Sequence, residues 1–159
     1  MSAAVALVRE AQETYGAEPW LDRHGAHEAL VTLARRRAAD DVAMLEPLLV
    51  AEETRAHDLL GLGSFQEYCA RLFGWGARQT RERLRVARAM RELPQLRARW
   101  ANGELTYSVV RELTRVATPE VEEEWLTWAT GGTAGSIGSV RRTAREVQRM
   151  VATHGRGSS

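Results

Sequence analysis

Residues 64–90 read SFQEYCARLFGWGARQTRERLRVARAM. Ser64, followed three residues later by Glu67, forms a capping box, in which a hydroxyl and a carboxylate each satisfy a backbone N–H left over at a helix start. A helix therefore begins at Ser64, and Gly74-Trp75-Gly76 closes it after a short run. Ala77 to Met90 then has high helix propensity and no breaker. Short helix, tight glycine turn and arginine-rich helix together outline a helix-turn-helix. In that motif the second helix lies in the DNA major groove and the first braces it across the backbone. Ala70 is the small residue expected where the two helices cross, and Gly74 takes the turn. Cys69, Phe73, Trp75 and Leu84 are expected to pin both helices to the rest of the chain.

The second helix divides by its own geometry. At 100° per residue, Arg78, Arg81, Arg85 and Arg88 fall within an arc of roughly 80°. Leu84, Val86, Ala87 and Met90 lie on the other side, a packing surface. Arg83 departs from this division and points toward the expected core. Glu82 and Glu92 are the only acids in the helix and its exit, which speaks against a plain solvated, salt-bridged face. Arginine bridges phosphates and forks onto guanine, and glutamine pairs with an adenine edge. The residues expected to touch DNA are therefore Arg78, Gln79, Arg81, Arg85 and Arg88. Tyr107, Ser108 and Arg111 follow as phosphate contacts from the first turns of a helix capped by Thr106. A last basic helix with Arg141, Arg142, Arg145 and Arg149 ranks third.

Working outward, no segment keeps a period-two alternation long enough for a half-buried strand. The expected fold is all-α, a multi-helix domain containing the helix-turn-helix and preceded by long N-terminal helices. Ser2 to about Tyr15 has helical spacing, and Pro19, Trp20 and Gly25 mark a loop. From His27, apolar positions that include Leu30, Leu33, Val42, Leu45, Leu48, Leu49, Ala56 and Leu59 predict one long helix or two joined ones. A kink is expected near Pro47, where a backbone donor is missing, and Gly61 and Gly63 stop the run. Pro94 opens a short helix closed by Asn102-Gly103, Thr106 caps one running to about Val116, and Thr118-Pro119 opens another through Trp128. Gly131 to Ser139, GGTAGSIGS, has the composition of a flexible linker, and a helix from Val140 to about Ala152 precedes the tail. The expected organisation is 1–62 as a helical packing region, 63–130 as the DNA-binding region, 131–139 as the linker and 140–159 as a basic helix and tail.

Charge along the chain is uneven. The 159 residues carry a formal net charge of +1, and all 22 basic side chains are arginine. Residues 1–70 hold 6 Arg against 12 acids, residues 71–115 hold 11 against 4, and residues 116–159 hold 5 against 5. A basic block beside an acidic one is the distribution of an element that faces nucleic acid. No apolar run approaches the roughly 18 residues of a membrane span, so no membrane partner is expected. The charged N-terminus does not read as a signal peptide, and the single cysteine, Cys69, excludes an internal disulfide and fits a cytoplasmic location.

Catalytic patterns are missing. His24, His27, His57 and His154 make no zinc or HNH arrangement, and neither a phosphate loop nor a dinucleotide fingerprint occurs. The chain itself is therefore not expected to be an enzyme or to hold a cofactor. Trp125 and Trp128, three apart, and Trp100 read as core contacts. Trp75 is the only aromatic placed to stack on a single strand, with core packing the better reading.

The run 64–90, followed by RELPQL, GELTYSVVRELTRVATPEVEEEWL and RRTAREVQRMV, resembles the N-terminal helical region of bacterial HNH-endonuclease-associated proteins. The resemblance covers roughly Leu59 to Val151, and RELTRVATPE is its most specific part. The same order of elements is similar to the DNA-binding region of ParB-type partition proteins, with Leu93-Pro94 as the step after the recognition helix. Both resemblances imply double-stranded DNA as partner. They place the recognition helix at Arg78 to Arg88, and the first implies a nuclease domain beyond this chain. GGTAGSIGSV is longer than the connection expected from the pattern. Two other readings stand beside DNA binding: the targeting part of an HNH nuclease, and a helical adaptor whose arginine stripe meets an acidic protein. The acidic helices before Gly61 are expected to pack and to offer a homodimer surface.

Overall fold

The computed structural model describes residues 22–131 and 143–154. It is all-helical, with no strand among the described residues. The expected helix at 2–15, most of the linker at 131–139, Arg141 and Arg142 lie outside the described residues.

The helices are α1 (Arg23–Ala43), α2 (Leu45–Glu53), α3 (Phe65–Phe73), α4 (Ala77–Met90), α5 (Pro94–Ala101), α6 (Tyr107–Leu113), α7 (Glu122–Thr130) and α8 (Ala144–His154), with a 3-10 turn at Ala56–Leu60. Contacts divide the chain into Met1–Ala34 and Arg35–Ser159. In the first unit the described residues are the opening turns of α1. The Asp22 carboxylate accepts the Gly25 N–H at 2.8 Å, so the loop expected around Gly25 is already helix. Leu30 and Leu33, expected on a buried face, are exposed.

The second unit contains the rest. α1 gives way to α2 at Met44, one turn before Pro47. Pro47 has no N–H to offer the Ala43 carbonyl, and it sits comfortably in the first turn of a new helix instead. The expected continuation through Leu59 fails: Arg55 turns left-handed at φ 55°, the 3-10 turn follows, and Leu59 is exposed. Ser64 caps α3 by accepting the Glu67 N–H at 3.1 Å, while the Glu67 carboxylate reaches Gly63 N–H at 3.3 Å, one residue before the usual partner. Pro94 and Thr106 open α5 and α6 as expected, whereas α7 starts at Glu122, a turn later than Thr118-Pro119 suggested. Glu122 is buried, and its carboxylate accepts the Leu96 N–H at 2.5 Å, closing the start of α5 from another helix.

One core runs through this unit. It joins Leu48 and Leu49 of α2, Cys69 of α3, Leu84, Val86, Ala87 and Met90 of α4, Trp100 of α5, Val110 and Leu113 of α6, Trp125 of α7 and Val147 of α8. α2 packs on α4, and α8 packs on α6. The boundary expected at residues 62–63 therefore falls inside a packed unit, and the helix expected beyond a linker shares its core.

Candidate nucleic-acid interface

α3 and α4 are joined by Gly74, Trp75 and Gly76. Gly74 takes φ +70°, a left-handed position that ends α3 as its N–H bonds the Ala70 carbonyl at 2.9 Å. Ala70 itself is exposed, contrary to the expectation that it lies between the helices. The residues that meet there are Cys69 and Thr80, each with no accessible surface. Burial pushes the Cys69 thiol up. Trp75 is buried and stacks on Phe73 at 4.4 Å between ring centroids, so it packs against protein. Phe73, expected as an anchor, keeps 41% of its surface.

The four arginines of the stripe have separate fates. Arg78 and Arg81 are exposed and make no ion pair or side-chain hydrogen bond among the described residues. Arg85 is half-buried and fully engaged. Its guanidinium reaches Glu82 at 3.2 Å, the Thr114 hydroxyl at 3.2 Å and the Arg111 carbonyl at 2.9 Å. A side chain spent on those partners ties α4 to α6 and is not a free DNA contact. Arg88 is exposed but ion-paired to Glu52 of α2. Gln79, between the two free arginines, is exposed.

Arg83 lies where the sequence placed it, toward the interior. Its guanidinium sits 3.6 Å from the Tyr107 ring centroid and 5.1 Å from that of Trp75, and it pairs with Asp41 of α1 at 2.9 Å. Stacking and pairing together make a buried guanidinium tolerable at this position. The same contact commits the Tyr107 ring, one of the expected phosphate contacts, to packing, and burial pushes its phenol up. Ser108 is exposed. Arg111 is partly exposed and pairs with the buried Glu112 at 3.0 Å.

Scarcity of acids near α4 in the sequence proves a poor guide to its pairing. Glu82 holds both Arg85 and Arg115, and Glu112 holds both Arg111 and Arg115. The Glu82 carboxyl is held below the usual carboxylate range, first by its hydrogen bond with Arg85 and then by the charges of Arg85, Arg115 and Arg111. α1 and α2 contribute Asp41, Glu46, Glu52 and Glu53 to Arg83, Arg88 and Arg91. Eight of the eleven arginines in 71–115 are ion-paired, which leaves Arg78, Arg81 and Arg97. The local surplus of charge is thereby narrowed to the first turns of α4 and to Arg97 of α5.

Those turns border a groove of about 740 Å³. Gly76, Arg78 and Gln79 form one wall. Tyr107, Arg111, Glu112 and Arg115 of α6 and its exit, on which both α4 and α8 pack, line it too, as do Gln148, Val151 and Ala152 of α8. Four of the eight expected site residues meet here, while Arg81, Arg85, Arg88 and Ser108 do not line it. α8 is the wall that sequence reasoning ranked lowest; its signal was Gln148 between Arg145 and Arg149. Among the described residues, no three His, Cys, Asp or Glu side chains gather as a metal site, and no helix is long and apolar enough to cross a membrane. Compared with models of known families, with characterised proteins and with solved structures, the chain finds no match in any of the three.

Proposed function

We propose that this chain is a DNA-binding region of helix-turn-helix type, with α3 as the bracing helix and α4 as the recognition helix. The observation that carries the reading is the pair Arg78 and Arg81. They are exposed and unpaired at the start of α4, with Gln79 between them, while the arginines further along are engaged by the protein. In a helix-turn-helix the N-terminal residues of the second helix meet the base edges. α4 starts at Gly76 with no side chain capping it, so its first N–H groups and the positive end of its dipole also favour phosphate there. Arg78, Arg81 and Gln79 are the contacts, with Arg111 and Ser108 beside them. Arg85 and Arg88 hold the helix in place. Double-stranded DNA is the partner. The reading assigns no catalytic step to these residues, and it agrees with the resemblance to regions that accompany HNH nucleases and to ParB-type DNA-binding regions.

The test is a salt titration of duplex binding by fluorescence anisotropy. Each phosphate contact adds about −0.9 to the slope of log affinity against log salt. Replacing Arg78 and Arg81 by Ala is expected to weaken binding and to flatten the slope by about two. Arg97→Ala, which removes an exposed and unpaired arginine from α5, is expected to leave both nearly unchanged. Equal affinity and slope for the wild type and the double variant would remove α4 from the interface. Binding to an acidic protein, lost with the same two arginines, would then establish the adaptor reading.

A further inference from the structure

We infer that the groove between α4 and α8 seats one sugar–phosphate strand of the duplex, with α8 as a second DNA-binding element. This inference rests on the DNA-binding reading of α4 and extends it to a second helix that lines the groove. α8 is held firmly enough to serve. Val147 has no accessible surface, α8 packs along α6, and the His154 ring meets Trp125 edge-on at 5.5 Å. By helical spacing Arg145, Gln148, Arg149 and Ala152 share an arc of about 100°. Gln148, Val151 and Ala152 line the groove, so Arg145 stands at its edge and Arg149 a further 40° toward solvent. Both arginines are exposed and make no ion pair among the described residues.

The groove suits a polyanionic strand. Unpaired guanidinium groups flank it from α4 and α8, and its base carries Arg111 and Arg115. Its carboxylates, Glu82 and Glu112, are met by three arginines, Arg85, Arg111 and Arg115, with Arg115 shared between them, which leaves one positive charge over. The B-DNA major groove is about 12 Å wide, so a helix entering it lies next to a phosphate strand, and whatever stands across a cleft from that helix meets the strand from outside. Gln148 supplies an amide donor to a phosphate oxygen, while Arg145 and Arg149 add charge.

The experiment uses the full chain and a mixed-sequence duplex. Arg145→Ala/Arg149→Ala is expected to bind more weakly and to lower the salt slope by about two. Arg145→Lys/Arg149→Lys keeps the charge and is expected to keep the slope. Gln148→Glu, which puts an unpaired carboxylate into the groove, is expected to weaken binding several-fold. Tryptophan fluorescence, sensitive to the Trp125–His154 contact, checks that α8 stays docked. Unchanged slope and affinity in the alanine variant with α8 docked, alongside a loss in Arg78→Ala/Arg81→Ala, would overturn the inference and leave the reading of α4 standing. A wild-type chain that fails to bind duplex at low salt would overturn both.

Discussion

Arginine does three different jobs within one helix, and spacing alone does not separate them. Arg78 and Arg81 stay free, Arg85 is a bracket between α4 and α6, and Arg83 is part of the interior. Side chains of 12% and 14% exposure make the Arg83–Asp41 pair nearly buried, and removing one partner leaves the other charge without compensation. Arg83→Ala is expected to destabilise the fold by about 3 kcal/mol in urea denaturation, at the lower edge of such effects because some exposure remains. Glu82 gives a pH signature. Its folded carboxyl titrates below the unfolded one, so its stabilising contribution is complete above the ordinary Glu value of about 4.3 and fades as pH falls through the folded value. The gap in unfolding midpoint between wild type and Glu82→Gln should therefore be steady at about pH 6–8 and should close on acidification below the ordinary Glu value. A gap that widened in acid would contradict this assignment.

Between elements, the turns carry the information and glycine marks where they are. Gly74 at φ +70° has open space around the position of a Cβ, so Gly74→Ala meets backbone strain alone, about 1 kcal/mol. Gly103, at φ +77°, would place a Cβ 3.1 Å from the Arg35 Cα as well. Gly103→Ala should therefore cost clearly more than Gly74→Ala in thermal unfolding, and equal losses would mean that α1 gives way there. Sequence spacing located these turns and the caps at Ser64 and Thr106, because a cap and its N–H lie within one turn of chain. It missed the crossing of α3 and α4, where Cys69 and Thr80 meet and Ala70 faces solvent. A neighbouring position along α3 points about 100° away, so an error of one residue exchanges buried for exposed.

For the whole molecule, part of the charge in 71–115 is met from the first 70 residues, by Asp41, Glu46, Glu52, Glu53 and Glu67, and part from within, by Glu82, Glu104 and Glu112. Asp41 of α1 and Glu52 of α2 reach Arg83 and Arg88 of α4, so acids far from α4 in the sequence serve as its counterions beside its own Glu82. Exposed pairs of this kind contribute little to stability, but they decide which arginines remain available. The last helix belongs to the same body through Val147. Val147→Ala removes two buried carbons, worth about 1.6 kcal/mol at roughly 0.8 each. It should lower the midpoint of a single unfolding transition, and an unchanged midpoint would mean that α8 folds apart from the core.

Composition and spacing by themselves determined that the chain is helical, where most helices start and stop, and that Leu84, Val86, Ala87 and Met90 form the inner face of α4. These follow from interactions within a turn or two of chain. Tertiary structure alone decided that Arg85 and Arg88 are engaged while Arg78 and Arg81 are free, that Leu30, Leu33 and Leu59 stay exposed, and that α8 walls the groove. Each of those depends on whether another helix supplies a partner. Asp41 and Arg83 are 42 residues apart and Glu52 and Arg88 are 36 apart, and no local pattern records which distant charge a folded chain brings within reach.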